Sequence, residues 1–166
     1  MTLSTPRISP CLWFNEEAED AARFYTGIFP NGRIGRIARF GHAGFEHHGR
    51  PAGSVMTVEF FLDGQCFTAL NGGPLFKFTE AVSFMVSCKD QAEIDYYWDA
   101  LSRGGPPDAQ QCGWLKDRFG LSWQIVPENL AGIMAGSDSA RMDRAMTALL
   151  TMQKLDIAAI DRAMQG

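Results

Sequence analysis

Several marks of specialised proteins are missing from this chain of 166 residues. No apolar run approaches the ~20 residues that cross a bilayer. Met1 to Pro10 carries no apolar segment, so no signal peptide is expected there. The four cysteines, Cys11, Cys66, Cys88 and Cys112, are scattered and form no C-x-x-C pair. Without an export signal they are expected as reduced thiols in the cytoplasm, four small core residues. There is no basic surplus: the net charge is -4, which argues against nucleic acid or an anionic membrane surface as the main partner. Histidine is scarce, and all three copies, His42, His47 and His48, fall in one stretch, Gly41 to Gly53, with glycines and a proline. That stretch offers a single carboxylate, Glu46, and no thiolate for a metal, and a solvated loop is the simpler reading.

What is present points to a globular chain long enough for a real core. Hydrophobic residues make up 46% and charged residues 20%. The patterning repeats. A strand over Ile8 to Phe14 leads to a helix expected to be capped by Asn15, with Ala18, Ala21, Ala22 and Tyr25 on one face. Strands follow at Arg33 to Phe40, Ser54 to Leu62 and Gln65 to Leu70, the last two joined by Asp63-Gly64, a strong hairpin signal. In the second half a strand at Ala81 to Ser87 precedes a helix. Asp90 and Glu93 suit that helix's start, and Ile94, Tyr97, Trp98 and Leu101 form its apolar stripe. A weak strand is expected at Asp108 to Gln111. The fold class is therefore α+β, built from two β-α-β-β-β repeats at about 8–74 and 80–127 within a core of residues 1–127. Residues 128–166 read as a C-terminal helical extension that packs on the core or on a dimer partner. Its stripes are Met142, Ala145, Met146, Leu149 and Leu150, then Leu155, Ile157, Ile160 and Met164.

The stretch Cys112 to Pro127 reads as a hairpin ending in a buried strand. Asp117 to Gly120 supplies the turn, Leu121 to Val126 the apolar strand, and Pro127 its end. Gln124 is out of place there, because a buried amide without a partner costs about 1–3 kcal/mol. It either finds a partner in the fold or faces a cavity where something polar binds. Trp13, Trp114, Trp123 and Phe60 suit an aromatic cleft for a flat apolar ligand, or else simply fill the core. Cys11 and Cys112 are candidates to lie near a cavity, where a thiolate nucleophile needs a cationic neighbour. No histidine is positioned by the sequence to provide it, and core cysteines are the expectation.

Several local motifs carry a resemblance. They include Ile8-Ser9-Pro10-Cys11-Leu12-Trp13-Phe14, Phe67-Thr68-Ala69-Leu70-Asn71-Gly72-Gly73-Pro74, Ser83-Phe84, Cys112-Gly113-Trp114-Leu115-Lys116-Asp117 and Trp123-Gln124-Ile125-Val126-Pro127. Together with the duplicated half they resemble the PhnB-like branch of the vicinal-oxygen-chelate superfamily, often labelled 3-demethylubiquinone-9 3-methyltransferase. The superfamily includes glyoxalase I, bleomycin-resistance proteins and extradiol dioxygenases. The resemblance implies paired half-barrels, commonly a homodimer, and in the metal enzymes four ligand positions. Those positions fall here on Pro10, a residue between Thr68 and Leu70, Ser83 and Gln124. Only Gln124 is a ligand type, and the set lacks the imidazole, carboxylate or thiolate that zinc or iron requires.

No metal and no cofactor is therefore expected. S-adenosylmethionine usually sits on a glycine-rich turn from strand to helix. Gly72-Gly73 and Gly104-Gly105 follow a strand and a helix respectively, so neither forms that turn. The expected function is binding of a small, largely apolar organic molecule in a metal-free cavity. The candidate lining is Gln124, Ser83, Trp114, Phe60, Cys112 and Ser122. The alternative is a metal-dependent lyase or dioxygenase, or the methyl transfer of the family label.

Overall fold

The computed structural model describes residues 6–166, which form two compact units, residues 6–77 and Phe78–Gly166. The first contains β1 (Cys11–Phe14), α1 (Ala18–Ile28), β2 (Arg33–Arg39), α2 (Phe45–His48), β3 (Val55–Leu62) and β4 (Gln65–Asn71). Its four strands lie in the order β1-β4-β3-β2. β1 runs parallel to β4, and the other pairs are antiparallel. The period-2 pattern of β3 is realised: Val58, Phe60 and Leu62 are buried. They meet the small face of α1, where Ala18, Ala21 and Ala22 let Tyr25 approach the sheet. Tyr25 stacks on Phe60 and Phe60 on Phe67, with ring centroids 6.0 and 5.2 Å apart. The β3–β4 turn puts Asp63 and Gly64 at φ of 46° and 81°, the left-handed pair that a two-residue hairpin needs.

Three local expectations are corrected in this unit. β1 begins at Cys11 rather than Ile8. The Gly41 to Gly53 loop holds the short helix α2. Asn15 does not cap α1. Its N-cap is Glu17, which makes no side-chain cap bond. Instead Asn71 at the end of β4 takes the Ala18 N–H on Oδ1 at 2.8 Å and donates Nδ2 to the Val55 carbonyl at 3.1 Å. The orphan donor at the helix start is satisfied from a distant strand, an arrangement that local pattern does not reveal.

The second unit contains β5 (Ser83–Cys88), α3 (Gln91–Ser102), β6 (Trp114–Lys116), β7 (Ser122–Pro127), α4 (Leu130–Met134), α5 (Ser139–Leu150) and α6 (Ile157–Gln165). Its sheet has three strands in the order β5-β7-β6, with β5 and β7 parallel. Asp90 caps α3 by accepting the Glu93 N–H at 2.9 Å, while the Glu93 carboxylate takes the Lys89 N–H at 2.9 Å. Expectation and structure differ at Asp108 to Gln111. A 3-10 turn at Pro107–Ala109 stands where a strand was expected. Pro106 and Pro107 have no N–H to give a ladder. Gln111 then pairs with Trp114 across a tight reversal, its N–H and carbonyl bonded to Trp114 at 3.0 and 2.8 Å. Cys112 and Gly113 occupy the corner at φ of 54° and 82°. Gly113 has no room for more, since an added Cβ would meet the Ile125 carbonyl at 3.0 Å. The second repeat thus lacks the counterpart of β2.

The C-terminal segment takes up the backbone this leaves free. Cys112 and Gly113 N–H donate to the carbonyls of Met152 and Gln153, both at 2.8 Å. The extension packs on its own unit: Ala145, Leu149, Leu155, Ile160 and Met164 form one buried cluster with Val126 of β7. The apolar stripes are largely consumed within the chain, and Met146 and Leu150 remain exposed. No helix among the described residues is long and apolar enough to cross a membrane.

Candidate functional site

The register of the second sheet separates its two faces. Phe84 pairs with Trp123, Val86 with Ile125 and Leu115 with Trp123. These side chains share the face that α3 covers with Ile94, Trp98 and Leu101. The opposite face carries Trp114, Lys116, Ser122, Gln124, Ser83 and Met85, because directly paired residues point the same way. Met85 is 61% exposed on it, so this face is open within the unit.

A cavity of about 400 Å³ lies at this face, bounded by Glu80, Gln111, Cys112, Trp114, Lys116 and Ser122 among others. Ala109 adds to its apolar wall, while Leu115 between Trp114 and Lys116 turns its side chain to the buried face. Lys116 forms an ion pair with Glu80, and that hydrogen bond holds the Glu80 carboxyl below the ordinary glutamate range. Ser122 is 1% exposed, and its Oγ is buried with no hydrogen-bond partner among the described residues. A buried hydroxyl in that state is costly unless something meets it.

Four of the expected residues therefore come together: Trp114, Cys112 and Ser122 line the cavity, and Gln124 stands beside Trp114 in the antiparallel pairing. Gln124 donates Nε2 to Ser83 Oγ at 2.9 Å, so Ser83 joins the group on the same face. Phe60 does not. It is a core residue of the first unit, 0% exposed and sandwiched between Tyr25 and Phe67, and β3 turns it toward α1. Lys116, Glu80 and Gln111 were not foreseen. The alternation Trp114, Lys116 on one short strand was the signal for Lys116.

In the first unit the corresponding open face carries Cys11, Trp13, Thr68 and Leu70. Trp13 is tied down there, its Nε1 donating to the Gly73 carbonyl at 2.9 Å and its ring edge-on to Phe76. Gly72 is required because a Cβ would lie 2.3 Å from the indole. The histidine stretch forms no cluster. His48 Nδ1 accepts the Arg50 N–H at 2.9 Å and its ring lies against Phe40, while exposed His47 meets Glu46.

A divalent metal does not fit the superfamily positions as they stand. Ser83 and Gln124 are neutral and bonded to each other, and Pro10 and the Thr68 to Leu70 segment offer no anionic or imidazole ligand. Among the described residues no three His, Cys, Asp or Glu side chains are grouped to hold an ion. A methyl donor's usual cradle does not fit either. The turns from β1 to α1 and from β5 to α3 read Asn15-Glu16-Glu17 and Lys89-Asp90, with no glycine.

Two sheets, each with its first strand parallel to its last and a helix crossing between, define a protein of the vicinal-oxygen-chelate class. Within it, the chain belongs to the family described as 3-demethylubiquinone-9 3-methyltransferase, whose model matches residues 6–126. A solved relative from Bacillus cereus, described as a putative 3-demethylubiquinone-9 3-methyltransferase, PhnB protein, is 32% identical. It aligns over 72% of this chain and 98% of its own, with a TM-score of 0.60. A Pseudomonas aeruginosa protein shares the fold at 20% identity, 72% and 96% coverage and a TM-score of 0.54. A fosfomycin resistance protein, FosX, from Mesorhizobium loti does so at 14% identity, 82% and 96% coverage and a TM-score of 0.50. No protein of curated function matches the chain.

Proposed function

We propose that this chain binds a small, largely apolar organic molecule at the open face of the β5-β7-β6 sheet without a metal ion, and works as a cytoplasmic homodimer. The observation that carries the binding reading is the Ser122 hydroxyl, buried and without a hydrogen-bond partner among the described residues, beside a cavity walled by Trp114 and Ala109. An apolar body packs on the indole, and one polar atom of the ligand meets the hydroxyl. The four cysteines are free thiols, which supports a reducing compartment. Met146 and Leu150, exposed on α5, are what the C-terminal helices retain for a second subunit.

The test is thermal melting and intrinsic fluorescence with 1-naphthalenemethanol, a neutral flat probe. A ligand that binds the folded state raises the melting temperature in proportion to ln(1 + [L]/Kd). The expected result is saturable stabilisation in the wild type and its loss in Trp114→Ala. No stabilisation at any soluble concentration, either by this probe or by its carboxylate counterpart 1-naphthoate, overturns the reading.

A further inference from the structure

The polar end of this cavity is more specific than one hydroxyl. Lys116 and Ser122 are direct partners in the β6–β7 ladder, so their side chains leave the same face side by side. The Lys116 side chain is only 25% exposed. Its ammonium has three N–H donors, and among the described residues the anion paired with it is Glu80. Ser122 adds a fourth donor, with no acceptor for it among the described residues. Two donor groups, one of them cationic, thus stand at one end of an apolar cavity. A single negatively charged oxygen group satisfies both, whereas a neutral hydroxyl leaves the ammonium's demand unmet.

Glu80 shows what that group looks like. Its carboxylate already occupies the ammonium, and its side chain is 63% exposed in the turn before β5. A carboxylate so exposed leaves for water at small cost. We propose that Lys116 Nζ and Ser122 Oγ form an oxyanion-binding pair. Its ligand is a flat apolar acid whose carboxylate displaces Glu80 while its ring packs on Trp114. The proposal rests on the binding reading given above and names the ligand class for the same cavity.

The experiment compares 1-naphthoate with its neutral counterpart 1-naphthalenemethanol by isothermal titration calorimetry. The expected result is naphthoate binding about tenfold or more tighter, the scale of one charge-assisted hydrogen bond. Lys116→Gln and Ser122→Ala should each remove most of that preference, and Glu80→Gln should strengthen naphthoate several-fold by freeing the ammonium. Ser122→Ala removes a hydroxyl with no hydrogen-bond partner among the described residues, so it keeps the fold; melting curves verify this for each variant. Equal affinities for the two probes overturn the oxyanion pair and leave the apolar cavity standing. Unchanged naphthoate affinity in either Lys116→Gln or Ser122→Ala overturns it as well. Binding of neither probe overturns both readings.

Discussion

Gln124 and Ser83 are joined across parallel strands, amide Nε2 to hydroxyl oxygen at 2.9 Å. The bond is diagonal: in the ladder Ser83 stands opposite Ser122, and Gln124 opposite Met85. It explains how an amide is tolerated in an apolar strand, since its donor end is used inside the sheet. Its Oε1 has no hydrogen bond to a described residue and remains on the open face.

Gln124→Leu should therefore destabilise the ligand-free protein by about 0.5–1.5 kcal/mol, the net worth of such a bond. At this chain length that lowers the melting temperature by about 2–4 °C per kcal/mol. Ser83→Ala should cost a similar amount, and the double variant little more than either alone, because both remove one interaction. Additive losses would show that the two side chains are stabilised independently.

Asp117 is the hidden organiser of the hairpin. It is 1% exposed, with Oδ1 accepting the N–H of Phe119 and Leu121 at 2.8 and 3.1 Å and Oδ2 the Trp123 indole N–H at 2.9 Å. Asp117→Asn keeps the shape but replaces one acceptor with an NH₂ donor. Either the indole or the two amides then face a donor, with a cost of about 1–3 kcal/mol. Chemical denaturation measures it, and a variant as stable as the wild type would show that the network contributes nothing.

These two residues show what pattern can and cannot convey. Alternation in β3 and the i, i+3, i+4, i+7 stripe of α3 were legible, because burial of one face is written into every second or third residue. The duplicated order was legible for the same reason, and the shared motifs pointed to the family. Asp117 was legible only as a turn former, since its three donors lie on residues whose approach depends on the turn already being closed. Asn71 as the cap of α1 was invisible, because the cap arrives from a strand 53 positions away. Phe60 was misplaced as a cavity residue because a one-residue ambiguity in strand facing moves a side chain to the other side of the sheet. The missing strand at Asp108 to Gln111 followed from two prolines and a corner that stops the ladder.

The cysteines should separate by reactivity. Cys88 is 1% exposed, and burial, aided by Glu93 and Asp90, pushes its thiol up to about 12. Reaction needs the thiolate. At pH 8 iodoacetamide should modify the exposed Cys11 in the native protein and reach Cys88 only after unfolding, as mass spectrometry of timed digests will show. Equal rates at the two sites would contradict the packing.

Acid should loosen the hold of the C-terminal segment on α3. The Asp95 carboxyl lies below its ordinary value because the Gln91 amide and then Lys154 hydrogen-bond to it. Lys154 reaches both Asp95 and Asp99, at 3.2 and 3.1 Å. A depressed carboxylate contributes stability that is present above its unfolded value and is lost as pH falls through the folded one. The stability gap between wild type and Lys154→Gln should therefore be present at pH 7 and shrink below about pH 4, the ordinary aspartate value. A gap that persists at pH 2 would assign the effect of Lys154 to packing of its methylene stem.

Removal of the extension tests the largest structural claim. Truncation after Pro127 deletes every partner of Val126 in the cluster formed with Ala145, Leu149, Leu155, Ile160 and Met164. It also strips the Cys112 and Gly113 N–H groups of the Met152 and Gln153 carbonyls. The Gln91 side chain loses both of its contacts there, Leu155 O and the Ile157 N–H. An exposed valine alone would be tolerated. Two freed amides at a corner already held in left-handed geometry would not, because that corner positions Cys112 and Trp114 at the cavity. The truncated chain should aggregate or lose cooperative melting. A milder variant, Leu155→Ala, should fold but lose about 2–5 kcal/mol, as a fully buried leucine does. A soluble truncated chain with an unchanged melting temperature would mean that the extension is an accessory and not part of the second unit's core.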